Sequence, residues 1–206
     1  MDEPQPAKLS RAIREPGRAL RYAWSRLRGW IARLRCVFRR RVKLGKNFRL
    51  LGRLRIRGPG RVVIGDDVYV DGTLTVSLPT YSPEAEIHIG AGTYLNGTRM
   101  GCAERIVVGK NCILADCRIT DTHFHSLYPG RRSDPTLVGV RAVEIGDDCW
   151  VAADAFILPG TRIRRGSTVA AGAVVMGRFP EKVVIAGNPA RVIMGVGEPP
   201  SVEGRW

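Results

Sequence analysis

From Ile145 the chain reads IGDDCW, VAADAF, ILPGTR, IRRGST and VAAGAV, so an aliphatic residue returns at every sixth position: Ile145, Val151, Ile157, Ile163 and Val169. Four residues after each stands a small side chain, namely Cys149, Ala155, Thr161, Ser167 and Ala173. A strict period of six fits neither the repeat of a helix nor the alternation of a half-buried strand. It fits a triangular coil in which each hexapeptide makes one side. The aliphatic residue then points inward on every side, and the small residue lets the chain bend. One turn of such a coil cannot bury its own core, so the turns must stack. The expected fold is all-β, a parallel β-helix of hexapeptide repeats.

The same phrase occurs earlier with interruptions: IGDDVY from Ile64, IGAGTY from Ile89, and VGKNCI with LADCRI from Val108. LGKNFR at Leu44 reads as a first rung. Residues 77–86 (SLPTYSPEAE) and 120–143 break the period, and their Pro, Gly and polar content marks loops that leave the coil. Loops on a rigid scaffold are where function concentrates, and the second loop holds two of the three histidines. After Val174 the period lapses. The expected organisation is a basic helical segment at 1–43, a β-helix at 44–185 and a Gly/Pro-rich tail at 186–206.

The formal charge of +14 is unevenly placed: residues 1–57 hold 18 of the 33 Lys and Arg but only 3 of the 19 Asp and Glu. The remainder is close to neutral, which argues against nucleic-acid binding by the folded body. Within the basic segment Leu20, Trp24, Leu27, Ile31, Leu34 and Phe38 step by four and three, drawing one apolar stripe along an amphipathic α-helix. Pro16 and Gly17 mark its start, Gly45 lies past its end, and Gly29 weakens it by about 1 kcal/mol relative to Ala. Two roles stay open for residues 17–43: a cap over the open end of the coil, or contact with an anionic membrane surface.

Five cysteines without a CxxC pair resemble neither a zinc site nor a disulfide framework, and reduced core thiols suit the cytoplasm. No apolar run reaches transmembrane length, and the first thirty residues lack the apolar centre of a secretory signal. The expected location is cytoplasmic, with a peripheral position at the inner membrane surface if the helix docks there.

Three phrases, ITDTHFHSL at 119–127, IGDDCWVAADAFILPGTRI at 145–163 and AAGAVV…VIAGNPARVI at 170–193, resemble the bacterial hexapeptide-repeat O-acetyltransferases, such as the galactoside and maltose enzymes and their glycan-modifying relatives. The resemblance covers roughly residues 44–193. It implies a left-handed coil, a homotrimer and an acetyl-CoA donor, with a histidine general base that takes the proton of an acceptor hydroxyl. A neutral hydroxyl is a poor nucleophile, so a base titrating near neutral pH is what this chemistry needs. Similar sequences read D-x-D-x-H, which places the base on His125 and leaves His123 as the alternative. By the same resemblance Asp121 orients the base or touches the acceptor, and Asn96 holds the acceptor sugar. Trp150 walls the site, Ala153 and Ala171 make room for the pantetheine arm, and Arg178 and Arg191 meet the donor phosphates. Where similar sequences read VVTKD this chain has VVMGR, so the usual lysine is absent and Arg178 stands next to its place.

Three alternatives remain at this point. An N-acetyltransferase acting on an amino sugar or sugar nucleotide would use the same base and donor. A non-catalytic scaffold would use the coil alone. A zinc hydratase on this fold would need three convergent histidines, and the spacing of His88, His123 and His125 does not suit it, so no metal is expected.

Overall fold

The computed structural model describes residues 16–126, 128–129 and 135–197. The parts of the expected N-terminal segment, second loop and tail at 1–15, 127, 130–134 and 198–206 lie outside those residues. Among the described residues one α-helix, α1 (Pro16–Val37), is followed by strands β1–β21, which wind repeatedly around three flat faces. The first face stacks seven strands from β1 (Val42–Leu44) to β19 (Arg178–Phe179), and the third stacks six from β3 (Leu54–Arg57) to β18 (Val174–Val175). The second stacks eight from β2 (Arg49–Leu50) to β20 (Val183–Gly187) and β21 (Ala190–Gly195). Every pairing is parallel except β20 with β21.

The six-residue period becomes inward columns. On the second face Val70, Leu95, Leu114, Val151, Val169 and Ile185 stand in register, and all are buried. The small residues fill the inner corners, where their side chains bond the next turn. Thr93 Oγ1 donates to the Gly109 carbonyl (3.1 Å), Cys149 Sγ to Arg164 (3.2 Å) and Ser167 Oγ to Pro180 (3.1 Å). At the outer corners Asn47, Asp67, Asn111 and Asp148 take φ between 52° and 57°, a region that Asn and Asp enter more readily than other side chains. The glycine before each such corner is required by its neighbour. A Cβ on Gly45 would lie 2.3 Å from the Gly65 carbonyl carbon, and one on Gly90 would lie 2.4 Å from that of Gly109.

Two boundaries differ from the expectation. Gly45 lies past the end of the helix and belongs to this corner column. The first loop contracts to 80–85, because Ser77 and Pro79 pair with Arg55 and Arg57 in β6 (Val76–Pro79). After Val174, where the period lapses, the coil continues to β20: Ile163 pairs with Phe179 and Val169 with Ile185, so the last turn closes over a shortened corner that hides the period. Residues 190–195, expected in a tail, form the antiparallel β21.

α1 lies across β1 and β2 and covers the open first turn. The face it buries is its small one, with Ser25 and Gly29 buried and Ala32 packed on the core. A Cβ on Gly29 would stand 1.8 Å from the Phe48 carbonyl oxygen, so the glycine that weakens the helix is what lets it seat. Arg28 donates to the carbonyls of Leu51 and Gly52, and Arg33 to that of Leu44, answering backbone acceptors left over by the first turn. Arg49 lies 5.6 Å from the Tyr22 ring and 4.6 Å from that of Tyr69, latching helix to coil. The apolar stripe points elsewhere: Leu20, Trp24, Leu34 and Phe38 are 73%, 54%, 52% and 88% exposed.

Candidate active site

The second long loop leaves the coil after β12 (Arg118–Thr120), on the edge between the third and first faces, and returns at β13 (Val143–Ile145). Its base is narrow. Thr122 bridges Val140 antiparallel, the His123 N–H donates to the Gly139 carbonyl (3.0 Å), and the Arg141 N–H donates to that of Asp121 (2.8 Å).

Asp121 anchors this base. Its buried carboxylate accepts the N–H groups of Ala103 (2.7 Å), Glu104 (2.8 Å) and Arg105 (2.7 Å), together with the Cys102 thiol (3.4 Å). A carboxylate is buried only when its charge is met by donors, and here the corner of the preceding turn supplies them. Through these hydrogen bonds Asp121 holds the loop to the coil, and among the described residues none of them comes from an imidazole. Burial and then the Asp121 charge push the Cys102 thiol far up, and the same two causes raise the Tyr81 phenol.

His123, Phe124 and His125 are exposed beyond this base. Phe124 adopts φ 62°, a strained conformation for an aromatic residue, and its ring meets Tyr81 from the first loop. The His123 ring lies close over Gly139, whereas His125 makes no hydrogen bond among the described residues. Arg178 lies on the same edge two turns further, in register with Arg162.

The other expected residues sit elsewhere. Asn96 ends β8 (Tyr94–Asn96) on the edge between the second and third faces, with its Oδ1 accepting the Leu74 N–H (3.1 Å). Ala153 and Ala171 stack on that same edge, both exposed, with the Gly172 N–H donating to the Ala153 carbonyl (2.9 Å). Trp150, 49% exposed, stands on the second face in register with Ile113 and Thr168. Arg191 lies on β21, its guanidinium turned back on the Ala190 carbonyl (2.8 Å). One copy therefore does not unite the set: the histidines and Arg178 occupy one edge of the third face, and Asn96 and the two alanines occupy the other. His88 lies on the first face in register with Val63 and Val107, apart from the loop histidines. Among the described residues no cluster of His, Cys, Asp or Glu is placed to hold a metal ion.

Sequence reasoning passed over Tyr81, and only the stacking of turns brings it under Phe124. It also passed over Asp71. Burial would raise that carboxyl, but the Gly72 N–H and the hydroxyls of Thr73, Tyr69 and Tyr94 outweigh it and hold it low.

Stacked three-sided turns with a histidine loop at one edge define a hexapeptide-repeat transferase. The family described as bacterial transferase hexapeptide (six repeats) matches residues 142–177. The chain is 30% identical over 174 residues to the putative colanic acid biosynthesis acetyltransferase WcaF of Escherichia coli K12, spanning 84% of this chain and 79% of that protein. It is 33% identical over 98 residues to the putative lipopolysaccharide biosynthesis O-acetyl transferase WbbJ of the same strain, spanning 44% of this chain and 50% of that one. The polysialic acid O-acetyltransferase OatWY matches the structure with a TM-score of 0.62 at 25% identity, over 79% of each chain. The chain belongs to the hexapeptide-repeat acetyltransferases and has their left-handed parallel β-helix.

Proposed function

We propose that the protein transfers the acetyl group of acetyl-CoA to a hydroxyl of a sugar or glycan, with His125 as general base, in a trimer whose sites lie between neighbouring copies. The observation that carries this reading is the division of the candidate residues between two edges of the third face. An imidazole on one copy meets Asn96, Ala153 and Ala171 only when a second copy brings its opposite edge alongside, and a heterologous contact of that kind closes into a ring. His125 takes the hydroxyl proton as the oxygen attacks the thioester carbon. Collapse of the tetrahedral intermediate breaks the C–S bond, and the imidazolium returns the proton to the departing CoA thiolate. Exposed alanines on the opposing edge leave the flat backbone surface that an extended pantetheine arm can follow. His125 is preferred over His123 because His123 is tied at its backbone and packed over Gly139.

The test is release of CoA thiol with a panel of sugars, amino sugars and oligosaccharides, run on mixed trimers. His125→Ala and Asn96→Ala proteins, each inactive alone, should regain activity when their copies are exchanged. No recovery in mixed trimers rules out a shared site, and thiol release with amino sugars alone makes the enzyme an N-acetyltransferase.

The way α1 is seated supports a membrane-surface position. Its small face is committed to the coil, so the apolar stripe and the exposed Arg21, Arg35 and Arg40 remain turned outward. We propose that this stripe rests on an anionic lipid surface, each interfacial arginine adding about 1 kcal/mol. Among the described residues no helix is long and apolar enough to cross a membrane. Full-length protein should co-sediment with phosphatidylglycerol vesicles at low salt, and Trp24→Ser with Leu34→Ser should not. Equal pelleting of the variant would remove the helix from this role.

A further inference from the structure

We propose that the third face of the coil is a binding surface for a linear acidic polysaccharide, the acceptor class of the transferase reading above, on which this inference rests. Arg55, Ser77, Arg99 and Arg118 stand in register on successive strands of that face: β3, β6, β9 (Arg99–Gly101) and β12. Strand alternation sends their neighbours Met100 and Ile119 into the core, so the arginines project outward, and all three are exposed.

Adjacent strands lie about 4.8 Å apart, which sets Arg99 and Arg118 one step apart and Arg55 two steps from Arg99. Like charges stacked at this distance repel one another. Three arginines elsewhere on the coil are answered by acids: Arg61 by Glu86 (3.5 Å), Arg162 by Glu144 (3.6 Å) and Arg165 by Asp148 (3.5 Å). Among the described residues the guanidinium groups of Arg55, Arg99 and Arg118 have no ion pair and no hydrogen bond. The position between Arg55 and Arg99, where an acid would relieve the repulsion, is Ser77. A column kept unneutralised in this way is matched by an anion from outside, and guanidinium groups suit carboxylates because they can bind both oxygens.

The column also has a shape and a direction. Arg55, Ser77 and Arg99 line a shallow cleft of about 530 Å³ whose rim, at Gly97 and Asp116, adjoins Asn96. Arg118 sits on the strand that runs into the histidine loop. In the shared-site arrangement the third face looks outward between two reaction centres, one at each of its edges. A polymer with a charge on successive sugars can lie along the arginines while one of its hydroxyls enters a centre. The one aromatic residue in register with this column, Phe156, lies beyond Arg118 and not between the arginines, so no ladder of rings is offered to the bases of a single-stranded nucleic acid, and the exposed apolar stripe suited to lipid is on α1.

The test uses the full-length protein and polygalacturonate as a defined polyuronate, with dextran as its neutral counterpart. Wild type should bind polygalacturonate and ignore dextran. Combining Arg55→Gln, Arg99→Gln and Arg118→Gln should weaken binding by roughly tenfold or more and flatten its salt dependence. Changing Lys46, Lys110 and Lys182 to Gln removes equal charge from another edge and should leave binding intact. The inference is overturned if wild type does not bind polygalacturonate, if the arginine and lysine variants lose affinity equally, or if oligo(dA) or phosphatidylglycerol vesicles depend on the three arginines as strongly. Acetyl-CoA consumption is followed in parallel. Failure of every acceptor there defeats the transferase reading, while the binding contrast still decides whether the arginine column holds acidic glycan.

Discussion

Phe124 and Tyr81 meet at right angles, with ring centroids 5.3 Å apart and planes inclined at 83°. The contact joins the two loops that leave the coil and falls between the two histidines of the candidate site. It is also where the chain tolerates an aromatic residue at positive φ, so the ring contact offsets the strain of placing Phe124 there. Replacing Phe124 or Tyr81 by alanine should lower kcat by on the order of tenfold to a hundredfold, through misplacement of the base, with little change in KM for acetyl-CoA. Steady-state kinetics decide it, and an unchanged kcat would reduce the pair to packing.

Removal of the imidazole at His125 should cost on the order of a hundredfold to ten-thousandfold in turnover, while acetyl-CoA binding measured by calorimetry persists. His123→Ala should cost much less. The reverse order of effects would move the base to His123.

Asp121 is expected to behave as a structural residue. Alanine there leaves three partly buried backbone N–H groups without their acceptor and should destabilise the fold by about 1–3 kcal/mol, seen as a lower denaturant midpoint. A variant that unfolds like wild type yet has lost all turnover would assign the carboxylate to catalysis instead.

Gly29→Ala tests the seating of α1 against intrinsic preference. Helix propensity alone predicts a gain of about 1 kcal/mol. The Phe48 carbonyl in the way predicts a loss, because the helix must lift from the first turn. The expected result is a lower melting temperature and exposure of the coil end to proteolysis.

Burial raises the thiols of Cys112 and Cys117 from 9.0 to about 12. The folded state therefore keeps these protons longer than the unfolded chain. Stability from this source is complete below pH 9 and is lost as pH rises from there toward about 12. Chemical denaturation between pH 8 and 11 should show that fall, and a flat profile would contradict it. At pH 8 Cys102, Cys112, Cys117 and Cys149, all buried, should resist Ellman's reagent until the protein unfolds.

The coil and its loops were legible because their determinants are local. Ile145, Val151 and Ile157 announce the inward column by spacing alone, and all three are buried as that spacing requires. How the last turn closes was not legible, because a shortened corner before Phe179 breaks the period while the register of the sheets persists. The helix was readable as amphipathic, but its docking face was not. Hydrophobicity pointed to the Trp24 stripe, whereas the steric demand of the Phe48 carbonyl selected Gly29.

By itself, then, the sequence determined the three-sided coil, the burial of its aliphatic columns and the presence of a histidine-bearing loop, because each depends on residues a few positions apart. Tertiary structure decided what those parts face. It set the histidines and Asn96 on opposite edges of one face, spent Asp121 on a neighbouring turn, and brought Arg55, Arg99 and Arg118 into one column. Those relations join residues separated by whole turns and by loops of unequal length, and no local period encodes them. They arise only when each turn settles on the one before it and backbone hydrogen bonding between the turns fixes which side chains share a line.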